Sequence, residues 1–297
     1  MLSAPFCSVK ALLEKVVCVK ASARSLYLLV LCLCVVTISH PVRSAAYPAA
    51  TIRNSEVRTI KSTSTGRSYD LYVRKPVDYD KNKQQKYPVL YLLDGQWDFK
   101  LLDSVIGGLL YDKAMPDILV VGIAYSGEHP DYNALRAMDY TPVPGDAKGS
   151  GEGPKFLNFL KSELIPLIEA NYRADPARRI LGGHSFGGSF TLYAMFTDSS
   201  LFWGYLAGSP DIEFADHFIV KQEEEFAKTH KDLPVRIFFA AGGDESPLAP
   251  RIAFVRTFAG RNYNGLHWDG RVIEGEGHAS AKPEFYSLGL RFLFGNG

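Results

Sequence analysis

The chain has 297 residues, of which 46% are hydrophobic and 22% are charged, values typical of a folded globular protein that exclude a disordered or fibrous one. Its formal net charge of +1 lacks the basic excess of a nucleic-acid-binding surface, so no nucleic-acid partner is expected. All four cysteines lie in the first 34 residues, which excludes disulfides, a cysteine-ligated zinc and a cysteine nucleophile from the rest of the chain.

The N-terminal segment has the composition of a secretory signal peptide. Basic residues precede the apolar run 26–38, and small residues follow it. This run of 13 residues is shorter than the ~20 that cross a bilayer as a helix, so we expect export without a stable membrane span. We predict a signal peptide over residues 1–44, one domain over 45–297, and a periplasmic or secreted protein. Without residues 1–44 the chain has 28 basic and 31 acidic residues, a formal charge of −3.

From residue 55 onward, short runs of strand type alternate with longer helical patterns. Two runs within residues 55–75 alternate apolar and polar side chains, which is typical of half-buried antiparallel strands. The repeated strand–helix order predicts an α/β fold with a mostly parallel central sheet and helices on both faces. Nearly continuous apolar runs, typical of parallel strands buried on both faces, occupy residues 87–95, 117–125, 178–185, 203–209 and 235–243.

The segment 126–154 is long for a connection and is rich in Gly, Pro and Asp. It follows the strand run 117–125, at the edge of the predicted sheet where α/β proteins bind ligands. Two interpretations stay open for it. It is either a mobile surface loop or part of the rim of a substrate-binding site.

Residues 183–187 read Gly-His-Ser-Phe-Gly and fit the motif G-x-S-x-G, between a strand pattern and a helical pattern. In that context the chain turns sharply and exposes the serine, and the flanking glycines relieve the crowding. Ser185 is therefore the predicted nucleophile, and the N–H group of Phe186 a predicted oxyanion donor. The second donor is expected from Gly95 or Gln96, just after the first parallel strand.

The general base and its acid are expected after the last strands. His278 lies in the small-residue loop 275–280, where α/β-hydrolases carry their catalytic histidine. Asp244 and Glu245 follow the strand run 235–243, and only one of two neighbouring side chains is expected to face the histidine. We prefer Glu245, with Asp244 as the alternative. A serine–histidine pair that works without an acid is also open.

Two other histidines bear on the choice of base. His184 lies inside the motif, where its side chain is expected to point away from the nucleophile. His129 lies in the segment 126–154 and is not excluded by its position alone. His278 is preferred to both because it follows the serine and the acid in the order that α/β-hydrolases use.

Taken in order, these segments resemble the esterase D-like "putative esterase" family of α/β-hydrolases, and within it the enterochelin-esterase group that cleaves siderophore trilactones. The resemblance extends over residues 55–295. It implies hydrolysis of a carboxylic ester or lactone through a Ser185 acyl-enzyme, with His278 as general base and with no cofactor or metal. The matching segments are the oxyanion strand at 87–95, the loop at 136–142, the helix, strand and serine motif at 156–188, and the histidine loop at 275–280.

The segment 136–142, Arg-Ala-Met-Asp-Tyr-Thr-Pro, is similar to the family's Arg-x-x-Asp-x-Thr-Pro loop. The resemblance makes Arg136 a candidate for binding an anionic part of the substrate. Alternatively, Arg136 pairs with Asp139 and holds the loop. One departure concerns specificity, because relatives often carry tryptophans where this chain has Asp-Ile-Glu-Phe at 211–214.

The predicted function is that of an exported serine hydrolase whose partner is a small-molecule ester or lactone. A siderophore lactone is one candidate substrate, and other acyl esters are another. Two alternatives remain, namely acyl transfer to an acceptor other than water, and a catalytically inactive binding protein on the same fold.

Overall fold

An eight-stranded sheet forms the centre of the computed structural model, which describes residues 50–295. The strands are β1 (Ser55–Lys61), β2 (Ser68–Arg74), β3 (Tyr87–Leu92), β4 (Leu119–Tyr125), β5 (Ala174–His184), β6 (Gly204–Gly208), β7 (Arg236–Gly242) and β8 (His267–Ile273). Their order in the sheet is β1-β2-β4-β3-β5-β6-β7-β8. The β1–β2 and β2–β4 pairs are antiparallel and all the others are parallel, which confirms the predicted α/β fold.

The helices cover both faces of this sheet. They are α1 (Gly95–Tyr111), α2 (Tyr132–Tyr140), α3 (Gly153–Phe159), α4 (Ile165–Asn171), α5 (Phe186–Thr197), α6 (Phe214–Thr229), α7 (Ala249–Gly260) and α8 (Lys282–Phe294). A π-helical turn, Leu160–Leu164, joins α3 to α4. Helices α1 and α8 pack on one face against Leu90 and Leu92, and the other helices pack against Tyr91 and Leu93. This alternation along β3 follows from the opposite directions of successive side chains in a strand.

The parallel half of the sheet brings distant parts of the chain to one edge. The strands β3, β5, β6, β7 and β8 are neighbours and run in the same direction. Their carboxyl ends therefore meet, and the connections that follow them lie side by side. Ser185 follows β5, Glu245 follows β7 and His278 follows β8, so the fold itself gathers the predicted site residues.

The segment 126–154, which the sequence left open as a mobile surface loop or as part of a substrate-binding rim, is not a loop throughout, because residues 132–140 form α2. The Asp131 carboxylate accepts a hydrogen bond from the N–H of Ala134 at 3.1 Å and so caps the helix. Ala137, Asp139 and Tyr140 are buried. The polar composition misleads here because both charged side chains on this helix, Arg136 and Asp139, have partners inside the protein, as described below.

The predicted signal peptide, residues 1–44, lies outside the residues that the structure describes and stays a prediction. Residues 51–295 belong to one compact unit built on the sheet. Within residues 50–295, no helix combines the length and the apolar composition needed to cross a bilayer.

Candidate active site

Ser185 stands in a strained turn between β5 and α5. Its backbone has φ 60° and ψ −125°, a conformation that side-chain-bearing residues rarely adopt. The turn is tight, because a Cβ atom on Gly183 would lie 2.5 Å from the carbonyl oxygen of Gly187. The N–H of Ser185 donates to the carbonyl of Gly208 at 2.9 Å, which holds the turn against β6. This is the backbone geometry of a nucleophile elbow, and it leaves the serine half-buried at the sheet edge.

A second tight turn lies next to the elbow, where β3 ends and α1 begins. Asp94 has left-handed backbone angles, φ 57° and ψ 39°, and Gly95 is the first residue of α1. A Cβ atom on Gly95 would lie 2.6 Å from the backbone of Gly122, so this close approach requires glycine. Within residues 50–295, the N–H groups of Gly95, Gln96 and Phe186 have no hydrogen-bond acceptor. These three predicted oxyanion donors are therefore free to bind a substrate oxygen.

Arg136 holds the turn at Asp94. Its Nε and Nη2 donate to the two carboxylate oxygens of Asp94 at 2.6 and 2.9 Å, a bidentate pair that is almost entirely buried. The suggested pairing of Arg136 with Asp139 is wrong. Asp139 instead accepts hydrogen bonds from Arg67 and from the hydroxyl of Tyr69. Arg136 thus contacts Asp94, the residue before Gly95 and Gln96, and its role toward an anionic substrate stays a prediction.

We expect Arg136→Met to lower the free energy of unfolding by about 3 kcal/mol, because it leaves the Asp94 carboxylate buried without its partner. Urea denaturation measures this change. Arg178→Met is the matched control, since Arg178 pairs with Asp175 at the surface and its loss is expected to cost less than about 1 kcal/mol. An Arg136→Met protein with unchanged stability and a raised KM would instead show that this guanidinium binds substrate.

Glu245 and His278 form a hydrogen-bonded pair. Nδ1 of His278 lies 3.0 Å from Oε2 of Glu245, and Oε1 of Glu245 accepts from the N–H of Gly242 at 2.7 Å and from the hydroxyl of Ser209. Burial by itself would raise the pKa of Glu245, but these hydrogen bonds outweigh it and hold the pKa below its ordinary value. Asp244 is exposed to solvent. Of the two adjacent carboxylates, the structure brings only Glu245 to the histidine.

The three side chains that the sequence selects share one cavity. Ser185, Glu245 and His278 all line an open cavity of about 500 Å³. In the part of the chain that the structure describes, no direct hydrogen bond joins the Ser185 hydroxyl to His278. Catalytic hydrogen bonds of this kind often tighten only when substrate binds. His129 is exposed ahead of α2 and does not line this cavity.

His184 is the residue of this site to which the sequence assigned no role. Its side chain is only 3% exposed and its ring lies 4.6 Å from the ring of His278, centroid to centroid. Burial lowers the pKa of His184 well below its ordinary value, so the ring is neutral. Its position inside the serine motif was visible in the sequence. Its contact with His278, 94 positions away, could not be seen in the sequence, because that contact depends on the order of the strands in the sheet.

Comparisons with known proteins show that the chain is similar to esterases. The family model described as "Putative esterase" matches residues 62–256. Ferri-bacillibactin esterase BesA of Bacillus subtilis (strain 168) is 30% identical over 266 residues, which cover 82% of this chain and 91% of that protein. Apo-salmochelin esterase of Escherichia coli O6:H1 is 36% identical over 137 residues, 42% of each chain. The crystal structure of BES protein from Bacillus cereus matches with a TM-score of 0.73 at 26% identity, covering 84% of this chain and 98% of that one.

Proposed function

Because the chain belongs to the "Putative esterase" family and is a carboxylic ester hydrolase, we propose that it is exported and cleaves an ester or lactone bond of a siderophore through Ser185. One observation carries the mechanism, namely that the strained Ser185 opens onto the cavity that also holds the His278–Glu245 pair. The names of the two esterase relatives support a siderophore as the substrate class. The membership in an esterase family leaves the alternative of an inactive binding protein without support.

In the proposed reaction, Ser185 Oγ attacks the carbonyl carbon of the ester while Nε2 of His278 accepts the serine proton. The carbonyl oxygen becomes an oxyanion and accepts hydrogen bonds from the N–H of Phe186 and from that of Gly95 or Gln96. The tetrahedral intermediate then breaks its bond to the alcohol, and the histidine returns the proton to this leaving group. A water molecule releases the acyl group from Ser185 by the same steps.

Glu245 has two roles in the proposed reaction. Its Oε2 faces Nδ1 of His278 and keeps the proton there, so that Nε2 offers a lone pair toward the serine. When the histidine becomes an imidazolium, the Glu245 carboxylate stabilises the positive charge. The donors on its other oxygen, Ser209 and Gly242, hold the carboxylate in its ionised form.

The site is large enough for more than a short acyl ester. A second open cavity, of about 710 Å³, shares Asp211 and Glu213 with the cavity at Ser185. Phe186 and Phe214 line it and meet edge to face, with ring centroids 5.7 Å apart. The segment 211–214, which lacks the tryptophans of relatives, thus still contributes an aromatic ring. Pockets of this size bind molecules of the size of a siderophore arm.

The charge around these cavities favours a substrate without a large negative charge. Asp146, Asp211, Glu213 and Asp244 line them, and none has a cationic partner within the described part of the chain. A ferric tris-catecholate carries three negative charges, and one carboxylate about 10 Å away repels it by about 1 kcal/mol in water before salt screening. We therefore propose that the iron-free form of a catecholate lactone is the better substrate.

The cation that lines the same space does not offset this charge. Arg251 donates to the carbonyl of Pro210 at 3.1 Å and to that of Pro247, and its Nε lies 3.7 Å from Oε2 of Glu245. Its side chain is mostly buried. The negative charge of Glu245 balances the single positive charge of Arg251. The four carboxylates without a cationic partner therefore set the sign of the potential at the entrance.

We expect kcat/KM for an iron-free catecholate trilactone to exceed that for its ferric complex by at least about tenfold at low salt. Added salt should bring this ratio closer to one, because it screens the repulsion between the carboxylates and the ferric complex. Steady-state hydrolysis of both forms by the purified enzyme measures it. Asp211→Asn combined with Glu213→Gln should also narrow the ratio, whereas Glu224→Gln, an exposed change on α6, should leave it unchanged.

The outcomes of this experiment separate the parts of the proposal. Equal cleavage of both forms without salt dependence would contradict the role of the carboxylates. Hydrolysis of nitrophenyl esters with no hydrolysis of either lactone would contradict the siderophore substrate while leaving the serine mechanism in place.

A further inference from the structure

His184 forms a set of three potential metal ligands with the catalytic pair. One ring nitrogen of His184, one ring nitrogen of His278 and a carboxylate oxygen of Glu245 all lie within 4.8 Å of one another. Among residues 50–295 this is the one group of three or more His, Cys, Asp and Glu side chains that meets this geometry. Nothing in the serine mechanism uses His184, so its place in this group needs a separate explanation.

His184 is an unsatisfied polar group inside the protein. Its Nε2 is buried and has no hydrogen-bond partner among the described residues. Leaving such a group unpaired is unfavourable, and a ligand that takes its lone pair removes that cost.

The donor set has the chemistry of a zinc site. Two imidazole nitrogens and one carboxylate oxygen are ligands that Zn²⁺ takes at about 2.0–2.2 Å, whereas Ca²⁺ and Mg²⁺ prefer oxygen ligands alone. Bonds of this length place ligand atoms roughly 3.3 Å apart in a tetrahedral site. The 3.0 Å distance between Nδ1 of His278 and Oε2 of Glu245 therefore has to widen slightly, and any longer spacing in the group, up to 4.8 Å, has to contract. His278 can supply that movement because its side chain is 48% exposed and lies on a loop.

We propose that a divalent transition cation of the zinc type binds His184, His278 and Glu245 and reversibly inhibits the enzyme. The ion is an inhibitor and takes no part in the reaction. This inference rests on the proposed role of His278 as general base. It adds a metal site that includes the His278 imidazole, so that a bound ion prevents His278 from acting as the base.

The position of Glu245 indicates how binding stops the reaction. Oε2 of Glu245 lies against Nδ1 of His278, so an ion between them bonds to Nδ1. The proton that Nδ1 carried moves through solvent to Nε2, and the imidazole stays neutral with no net loss of a proton. Nε2 then holds a hydrogen and cannot accept the proton of Ser185. Removing the ion restores the original tautomer and the activity.

Zinc titration of esterase activity tests this inference. With a nitrophenyl ester as substrate, Zn²⁺ should inhibit the enzyme and EDTA should restore it, while Mg²⁺ should have no effect. His184→Gln should raise the zinc concentration for half-inhibition at least about tenfold, since even losing a partner of a ligand costs 10- to 100-fold in affinity. His129→Gln, which removes an exposed histidine outside the cavity, should leave that concentration unchanged.

Calorimetric zinc binding to the Ser185→Ala protein gives a readout that does not depend on catalysis. We expect one Zn²⁺ per chain, with binding lost in Ser185→Ala combined with His184→Gln. Ser185→Ala combined with Glu245→Gln should also lose zinc binding. This second double variant keeps His184 and serves if the first one fails to fold. Inhibition that survives His184→Gln would refute the site. Zinc binding at the site without inhibition would uphold the site and refute the role of His278 as the base.

Discussion

Ser185→Ala is expected to lower kcat for a short-chain nitrophenyl ester by at least about 10⁴-fold while the fold stays intact. The nucleophile has no substitute, because the strained backbone at φ 60° and ψ −125° presents this one side chain at the sheet edge. Alanine fits the space of serine, so the change removes the hydroxyl and little else. Steady-state kinetics gives the loss, and circular dichroism with a urea titration checks the fold.

Covalent labelling provides an independent measurement for the same prediction. A fluorophosphonate should add once to the unmodified protein, at Ser185, and should not add to Ser185→Ala. Ser246→Ala is the matched control, because Ser246 lines the same cavity and is exposed but does not lie in the elbow. It should keep both labelling and activity. Full activity in Ser185→Ala would refute the proposed mechanism as a whole.

Glu245→Gln is expected to lower kcat by about 10²- to 10⁴-fold, whereas Asp244→Asn should change it by no more than about twofold. A glutamine amide that faces Nδ1 of His278 favours the wrong tautomer, and it cannot stabilise the imidazolium. Asp244 is exposed and forms no hydrogen bond or ion pair with His278, which makes it the matched control one residue away. The same kinetic assay serves for both variants.

The two variants also decide between the alternatives left open by the sequence. A large loss in Asp244→Asn with none in Glu245→Gln would reverse the choice of acid. Near-normal kcat in both variants would mean that Ser185 and His278 work as a pair. A large loss in Glu245→Gln alone supports the geometry described above.

The lowered pKa of Glu245 adds a dependence of stability on pH. A carboxyl group whose pKa is lower in the folded protein than in the unfolded chain stabilises the fold when pH lies above its unfolded value, about 4.3. That contribution is lost as pH falls from there through the lower folded value. Glu245→Gln should therefore show a shallower loss of stability in acid than the unmodified protein. Urea titrations at several pH values below 5 measure the difference.

The segment 126–154 shows where local composition misleads. Glycines, prolines and charges predicted a loop, yet residues 132–140 form a helix because Asp131 caps it and because Arg136 and Asp139 find partners inside the fold. Those partners, Asp94 and Arg67, lie 42 and 72 positions away in the chain. Composition alone assigns charged side chains to solvent, whereas paired charges can be buried.

By itself the sequence determined which segments form strands and where the candidate site residues lie along the chain. The apolar runs predicted buried parallel strands, and the glycines around Ser185 predicted a crowded turn, because both signals depend only on neighbours along the chain. The position of His278 after the last strand, in the order that α/β-hydrolases use, made it the predicted base.

The tertiary structure alone decided which side chains meet at the carboxyl edge of the sheet. Glu245, and not Asp244, pairs with His278. Arg136 pairs with Asp94, and His184 lies beside His278. Each of these contacts joins segments that follow different strands. Their distances depend on strand order and on the direction of single side chains, which no local pattern of residues records.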